Sequence, residues 1–172
     1  MSLVESHLLS STAGEIRVES WLFLLAEDAA IPEDGADPSE GDAGLWELIA
    51  DIGNPGAGVT VTGAEGGLVL WSAGNDHYPQ VRLEQWSGQP PRDQEEWETE
   101  QEVSFSMNET GKLALTAISG GKSKDASPVV LPCLGTYRAR VHTRGRDEAA
   151  CHGEAEFYRG VERWLVQIWP ES

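Results

Sequence analysis

The chain has little with which to cross-link itself: two cysteines, Cys133 and Cys151, in 172 residues. That excludes a disulfide-rich scaffold. In a reducing compartment both are free thiols, and a single bridge between them is the alternative. No apolar run approaches the roughly 20 residues that span a bilayer, so no membrane helix is expected. The first ten residues carry no Lys or Arg, and Glu5 and His7 interrupt Leu3, Val4, Leu8 and Leu9. That is not a secretory signal. The cytoplasm is the expected compartment, with a mature secreted form, its leader removed, as the alternative.

Catalytic motifs are also missing. Ser72 lies in LWSAG, without the leading glycine of a nucleophile elbow. The glycines form neither GxGxxG nor a phosphate-binding loop. Carboxylates are so abundant that pairing any two as acid and base carries no information without geometry. No cofactor and no enzyme activity are expected. Cys133, His142, Cys151 and His152 are a zinc complement by type, but neither CxxC nor HxxxH is present. No metal site is expected from that spacing.

Basic residues are few and unevenly placed. Twelve Lys and Arg face 29 Asp and Glu, for a net charge of −17. Residues 1–110 hold 22 acids and three basic residues (Arg17, Arg82 and Arg92), whereas residues 111–172 hold seven acids and nine basic residues. An acidic field of this size repels nucleic acid and anionic membranes and attracts basic proteins. The plain alternative is that the acidity serves only solubility.

What the chain does have is alternation. Gln80–Trp86 places Val81, Leu83 and Gln85 on one face, with Arg82, Glu84 and Trp86 on the other. Trp97–Met107 sets Trp97, Thr99, Val103, Phe105 and Met107 against Glu98, Glu100, Glu102, Ser104 and Ser106. Thr136–Thr143 and Val161–Trp169 alternate likewise. Period two over such lengths is the signature of strands. Asn108–Gly111 predicts a hairpin joining 97–107 to 112–118; 59–62 and 68–71 predict a second. Residues 15–27 predict a strand with Ile16, Val18, Leu22 and Leu24 on one face, apolar on both faces from Trp21 onward, with a short amphipathic helix as the alternative. Residues 28–43, rich in Asp, Glu, Gly and Pro, predict an acidic flexible loop. Residues 45–52 are a short strand or a single helical turn. The whole predicts an all-β fold: one antiparallel β-sandwich domain over residues 1–172.

Three groups of residues are candidates for function. Arg138, Arg140, His142, Arg144 and Arg146 recur at period two and would line one surface of a continuous strand. Such a row is either neutralised by acids on a neighbouring strand, with Glu98, Glu100 and Glu102 the obvious source, or binds an anionic ligand or acidic partner. The first reading is preferred because acids are plentiful. The same glutamates are then candidates for partner binding. Seven tryptophans are many for this length. Trp97 and Trp164 share faces with aliphatic residues and are expected in the core. Trp86, beside Arg82 and Glu84, is the best interface residue among them.

GTYRARVHTRGRD (Gly135–Asp147) followed by VERWLVQIWP (Val161–Pro170) resembles the C-terminal pattern G-S-Y-R-V-R-V-H-A-R-G-R-D … L-L-Q-I-W-P of a group of small acidic actinobacterial proteins. The resemblance extends over about residues 59–170. It implies a β-sandwich and carries no functional assignment. In layout and charge the chain is similar, more distantly, to the competence-associated nuclease inhibitors (ComJ-like), small acidic β proteins that silence a basic nuclease. That likeness implies an inhibitor or immunity-type role on a basic protein partner and transfers no individual residue. The competing readings are a small-molecule or glycan-binding sandwich and a structural adaptor.

Overall fold

The alternating segments do form strands. A computed structural model describes residues 5–31, 43–50 and 55–172. Ten strands follow in order: β1 Leu8–Glu15, β2 Leu22–Glu27, β3 Val61–Ala64, β4 Gly67–Trp71, β5 Tyr78–Trp86, β6 Thr99–Met107, β7 Lys112–Thr116, β8 Val129–Val130, β9 Gly135–Arg144 and β10 Arg159–Pro170. Two short helices, α1 Ala43–Ala50 and α2 Arg146–Cys151, and a 3-10 turn at Asp28–Ala30 complete the regular structure among the described residues. The strands form two five-stranded sheets, ordered β1-β5-β10-β9-β6 and β3-β4-β2-β7-β8.

One apolar cluster draws on both sheets. Phe23, Leu25, Leu68, Leu70, Leu113 and Leu115 come from the second sheet; Val81, Leu83, Tyr137, Val141, Trp164 and Val166 come from the first. Burying one such side chain contributes about 1.5–3 kcal/mol, so this cluster is the main reason the sheets associate. Phe23 meets Trp164 edge to face, ring centres 5.1 Å apart. A second cluster backs the other side of the second sheet, where Leu22, Leu24 and Val69 pack with Ile31, Leu45 and Leu48.

Several expectations need correction. The sheets are not wholly antiparallel: β5 and β10 pair in parallel. The hairpin predicted between 97–107 and 112–118 does not form. β6 pairs with β9, and β7 pairs with β2 in the other sheet. The cause is Glu27. Its buried carboxylate accepts the backbone N–H groups of Asn108, Glu109 and Thr110, at 2.9–3.2 Å, and turns the chain from one sheet into the other. Residues 15–27 are likewise not one strand. Ser20 and Trp21 take left-handed backbone angles and reverse the alternation. Ile16 and Val18 then share the main core with Phe23 and Leu25, while Leu22 and Leu24 face the second cluster.

Of the acidic loop expected over 28–43, Asp28–Ala30 is a 3-10 turn whose Asp28 pairs with Lys122, Ile31 is buried, and Ala43 begins α1. Residues 32–42 lie outside the described residues. Both cysteines are free and exposed. No helix among the described residues is long and apolar enough to cross a membrane.

Candidate protein interface

The basic row is the first surface to place. β9 carries Arg138, Arg140, His142 and Arg144 on the side of the sheet away from the main core, directly across from β6. Register sets Glu100 beside His142 and Glu102 beside Arg140. Glu102 holds both Arg138 and Arg140, at 3.0 and 2.8 Å. Partial burial raises the Glu102 pKa, but the hydrogen bonds from Arg140 and Arg138 outweigh it and hold the carboxyl below its ordinary value. Glu100 lies 3.6 Å from His142, and Glu95 lies 3.4 Å from Arg144. Glu98 makes no ion pair among the described residues.

The row is not an open surface. Arg140 and His142 are buried, 6% and 3% exposed. The segment 87–98 folds over them: the Pro90 carbonyl accepts from Arg140, and the Trp97 ring lies 5.6 Å from that of His142. Trp97 is therefore half-buried on the outer face, with its indole N–H on Asp93, and is not a core residue. Trp164 is in the core as expected. Trp86 ends β5 half-buried, its N–H donated to Glu84 at 2.9 Å. Arg146 leaves the row altogether. Gly145, in a left-handed conformation (φ 80°), ends the strand, and Arg146 opens α2 pointing inward.

What Arg146 reaches is a buried polar cluster absent from the sequence reading. Its guanidinium donates to the Trp71 carbonyl (2.7 Å) and to Glu162 (3.3 Å). Glu162, fully buried on β10, also accepts from the Ser72 hydroxyl (2.7 Å), the Ala73 N–H (2.8 Å) and the Trp164 indole (3.0 Å). Burial pushes the Glu162 pKa up, against the pull of these donors. His77 Nε2 lies 2.8 Å from the Ser72 oxygen.

Serine, histidine and a carboxylate thus meet, but not as a relay. With Glu162 ionised, the Ser72 proton goes to Glu162, so His77 must donate from Nε2, and its Nδ1 is buried without a partner. In a catalytic triad the acid would hold Nδ1 and the imidazole would accept the serine proton. Here the carboxylate accepts the serine hydrogen bond directly. The cluster fastens β4, the 72–77 turn, α2 and β10 together.

Its titration gives a first prediction. Burial, helped by the charge of His152, lowers the His77 pKa from 6.5 to about 4. As pH falls from about 6.5 to about 4, the unfolded chain takes up this proton and the folded one does not. Stability is lost over that window at up to about 1.4 kcal/mol per pH unit. Glu162, its pKa raised, works in the opposite sense: it gains stability as pH falls through its folded value towards its unfolded one. Urea unfolding from pH 7 to pH 4 should therefore show a shallower loss for His77→Gln than for the wild type. Equal slopes would mean that His77 is not held neutral.

Above this cluster, three loops interlock. Among the described residues, five non-glycine residues have positive φ: Ser20, Trp21, Asp76, Ala155 and Phe157. All five lie in these loops. The Trp21 N–H donates to Asn75 (3.1 Å), the Trp21 carbonyl accepts from Ser72 N–H (2.8 Å), and Asp76 receives the N–H groups of Phe157 (3.0 Å) and Ala155 (3.2 Å). Left-handed backbone costs a non-glycine residue of order 1–3 kcal/mol. Trp21 and Phe157 stand 47% and 45% exposed, the most exposed aromatic rings among the described residues.

No family model matches the sequence, and no curated protein sequence matches it. Two solved structures share the fold. ComJ from Bacillus subtilis, described as an inhibitor of the DNA degrading activity of NucA, superposes with a TM-score of 0.54 at 12% identity, over 98% of this chain and all of that one. Crocagin biosynthetic gene J superposes with a TM-score of 0.53 at 13% identity and the same coverage. At such identities the likeness is one of fold, and it meets the ComJ-like architecture expected from the sequence at that level. Among the described residues no three His, Cys, Asp or Glu side chains gather as a metal set; Cys133 lies in the turn before β9, and Cys151 ends α2.

Proposed function

We propose that this chain is an acidic protein-binding module of inhibitor type, a β-sandwich whose partner is a basic protein such as a nuclease, and that it is not an enzyme. The observation that carries the reading is the fate of the basic row. Its arginines are engaged by Glu102, Glu95 and Glu162, which speaks against an anionic ligand there. Glu96 and Glu98, exposed beside β6, have no basic partner among the described residues and add to a net charge of −17. ComJ, with the same fold, inhibits a DNA-degrading protein. A nuclease must hold phosphate and so presents the cationic surface that such a field attracts. The free thiols suit the cytoplasm.

The test is inhibition of DNA degradation by a purified NucA-type nuclease, with rates of association measured at low and moderate salt. Glu98→Gln with Glu100→Gln should slow association about three- to tenfold at low salt, with the difference shrinking as salt is added. Arg138→Gln with Arg144→Gln should lower stability and leave association nearly unchanged. If the arginine pair stays folded and loses the partner while the glutamate pair binds normally, the basic row is the site.

A second reading rests on a cleft of about 430 Å³, lined by Arg17, Lys122, Lys124 and Arg159 together with Glu15 and Glu19. So charged a lining suits a small zwitterionic ligand better than a glycan.

A further inference from the structure

Electrostatic attraction brings a basic partner close but does not hold it in one pose; holding needs desolvated anchors. The interlocked loops supply two. Trp21 and Phe157 each have left-handed backbone and each is hydrogen-bonded to the Asn75–Asp76 turn. That arrangement is not what would hide an aromatic ring. Glycine or asparagine would hold such a backbone with less strain, and the chain uses neither at any of the five positions. Arg17 lies over the Phe157 ring at 5.6 Å and within 4.0 Å of Asp76, which fixes one ring further. Strain of this kind gathers where a surface has to be presented in a set shape.

The rim of this surface is acidic. Asp147 and Glu148 on α2 and Glu154 on the loop are exposed and have no basic partner among the described residues. Glu19 and Asp76 share Arg17, and Glu156 pairs with His152. A second copy of this chain would bring the same acidic rim and another −17 of charge, and like charges placed face to face oppose docking. Nucleic acid and anionic membrane are opposed for the same reason. The occupant that fits is a folded protein with basic residues around an apolar seat.

We infer that Trp21 and Phe157 are the anchors by which this protein grips its basic partner. The inference rests on the protein-binding reading and adds to it the contact that governs dissociation. A bound partner would keep both rings out of water and put its cations on the rim.

The experiment measures association and dissociation separately, by surface-based binding to a panel of purified cationic nucleases that includes a NucA-type enzyme. Trp21→Ser and Phe157→Ser should each raise the dissociation rate at least tenfold and change association less than twofold. Trp21→Phe should recover most of the loss. Thermal unfolding of each variant shows whether the fold is kept. Unchanged dissociation in folded serine variants, with association still slowed by Glu98→Gln and Glu100→Gln, overturns this inference and leaves the protein-binding reading standing. Binding of the wild type to none of the panel overturns both. Dimerisation of the wild type in sedimentation, or binding on a glycan array, abolished in either case by Trp21→Ser, assigns the rings to a second copy or to a sugar and overturns the inference as well.

Discussion

Replacing Glu162 with Ala is expected to cost about 3–5 kcal/mol of folding stability, the penalty for leaving a buried charge without its partner. Four donors lose their acceptor together: Ser72 Oγ, Ala73 N, Trp164 Nε1 and Arg146. Arg146 keeps the Trp71 carbonyl but loses its countercharge. Removing both charges, as Glu162→Leu with Arg146→Leu, should cost much less than the sum of the single changes, because no orphaned ion remains. Urea unfolding at pH 7 of the four proteins of this cycle gives the coupling, and Glu162→Ala is unfolded beside them. A loss below about 1 kcal/mol for Glu162→Ala would show that water satisfies the cluster as well as the carboxylate does.

Gly63→Ala is expected to cost about 3 kcal/mol, the upper end of what overpacking usually costs. A Cβ there would stand 1.8 Å from the Ser104 carbonyl oxygen and 2.9 Å from its carbon. Both are backbone atoms of β6 and cannot swing aside. Close by, the Gly66 N–H donates to the Ser106 carbonyl at 2.8 Å, so the change strikes the seam at which β3 of one sheet meets β6 of the other. Gly121→Ala is the control, since nothing lies within 4 Å of its added methyl group. The two should differ by more than 2 kcal/mol in urea unfolding. If they do not, the strands separate freely and the seam holds little.

Much of the strand content was legible because it rested on side-chain period alone. Val81 and Leu83 bury where alternation places them, as do Tyr137, Ala139 and Val141. β1 was missed: LLSSTAGE has no alternation, and most of it is exposed. Turns read from local sequence divide: 59–62 and 68–71 do form a hairpin, as β3 and β4, whereas 97–107 and 112–118 do not pair with each other. Asn108–Gly111 resembles a hairpin turn, yet its geometry is dictated by Glu27, about 80 residues earlier. No local rule can register that.

The candidate surfaces divide in the same way. Cross-strand pairing of Glu100 with His142 and of Glu102 with Arg140 follows from counting positions on two strands. The burial of Arg140 and His142 does not, because it depends on where segment 87–98 comes to rest. The Trp21 and Phe157 loops gave no signal at all. Left-handed backbone is usually announced by Gly or Asn, whereas here Ser, Trp, Asp, Ala and Phe adopt it. Ser72, His77 and Glu162 are brought together only by the packing of β4, the following turn and β10.

The position of β10 has a consequence for how the molecule is made. It lies between β5 and β9, yet it is the last of the ten strands to leave the ribosome. Until residues 159–170 emerge, β5 and β9 cannot be joined, and each offers an unpaired edge to any neighbouring chain. The buried tryptophan and valine that face the second sheet arrive with the same segment. β1 can pair with β5, and β6 with β9, before then, but joining the two halves waits for β10, is slow as sheets of distant strands are, and leaves the chain exposed to aggregation while it waits. A nascent chain from which residues 159–170 have not emerged should be a strong client for chaperones, and one from which they have emerged a poor one.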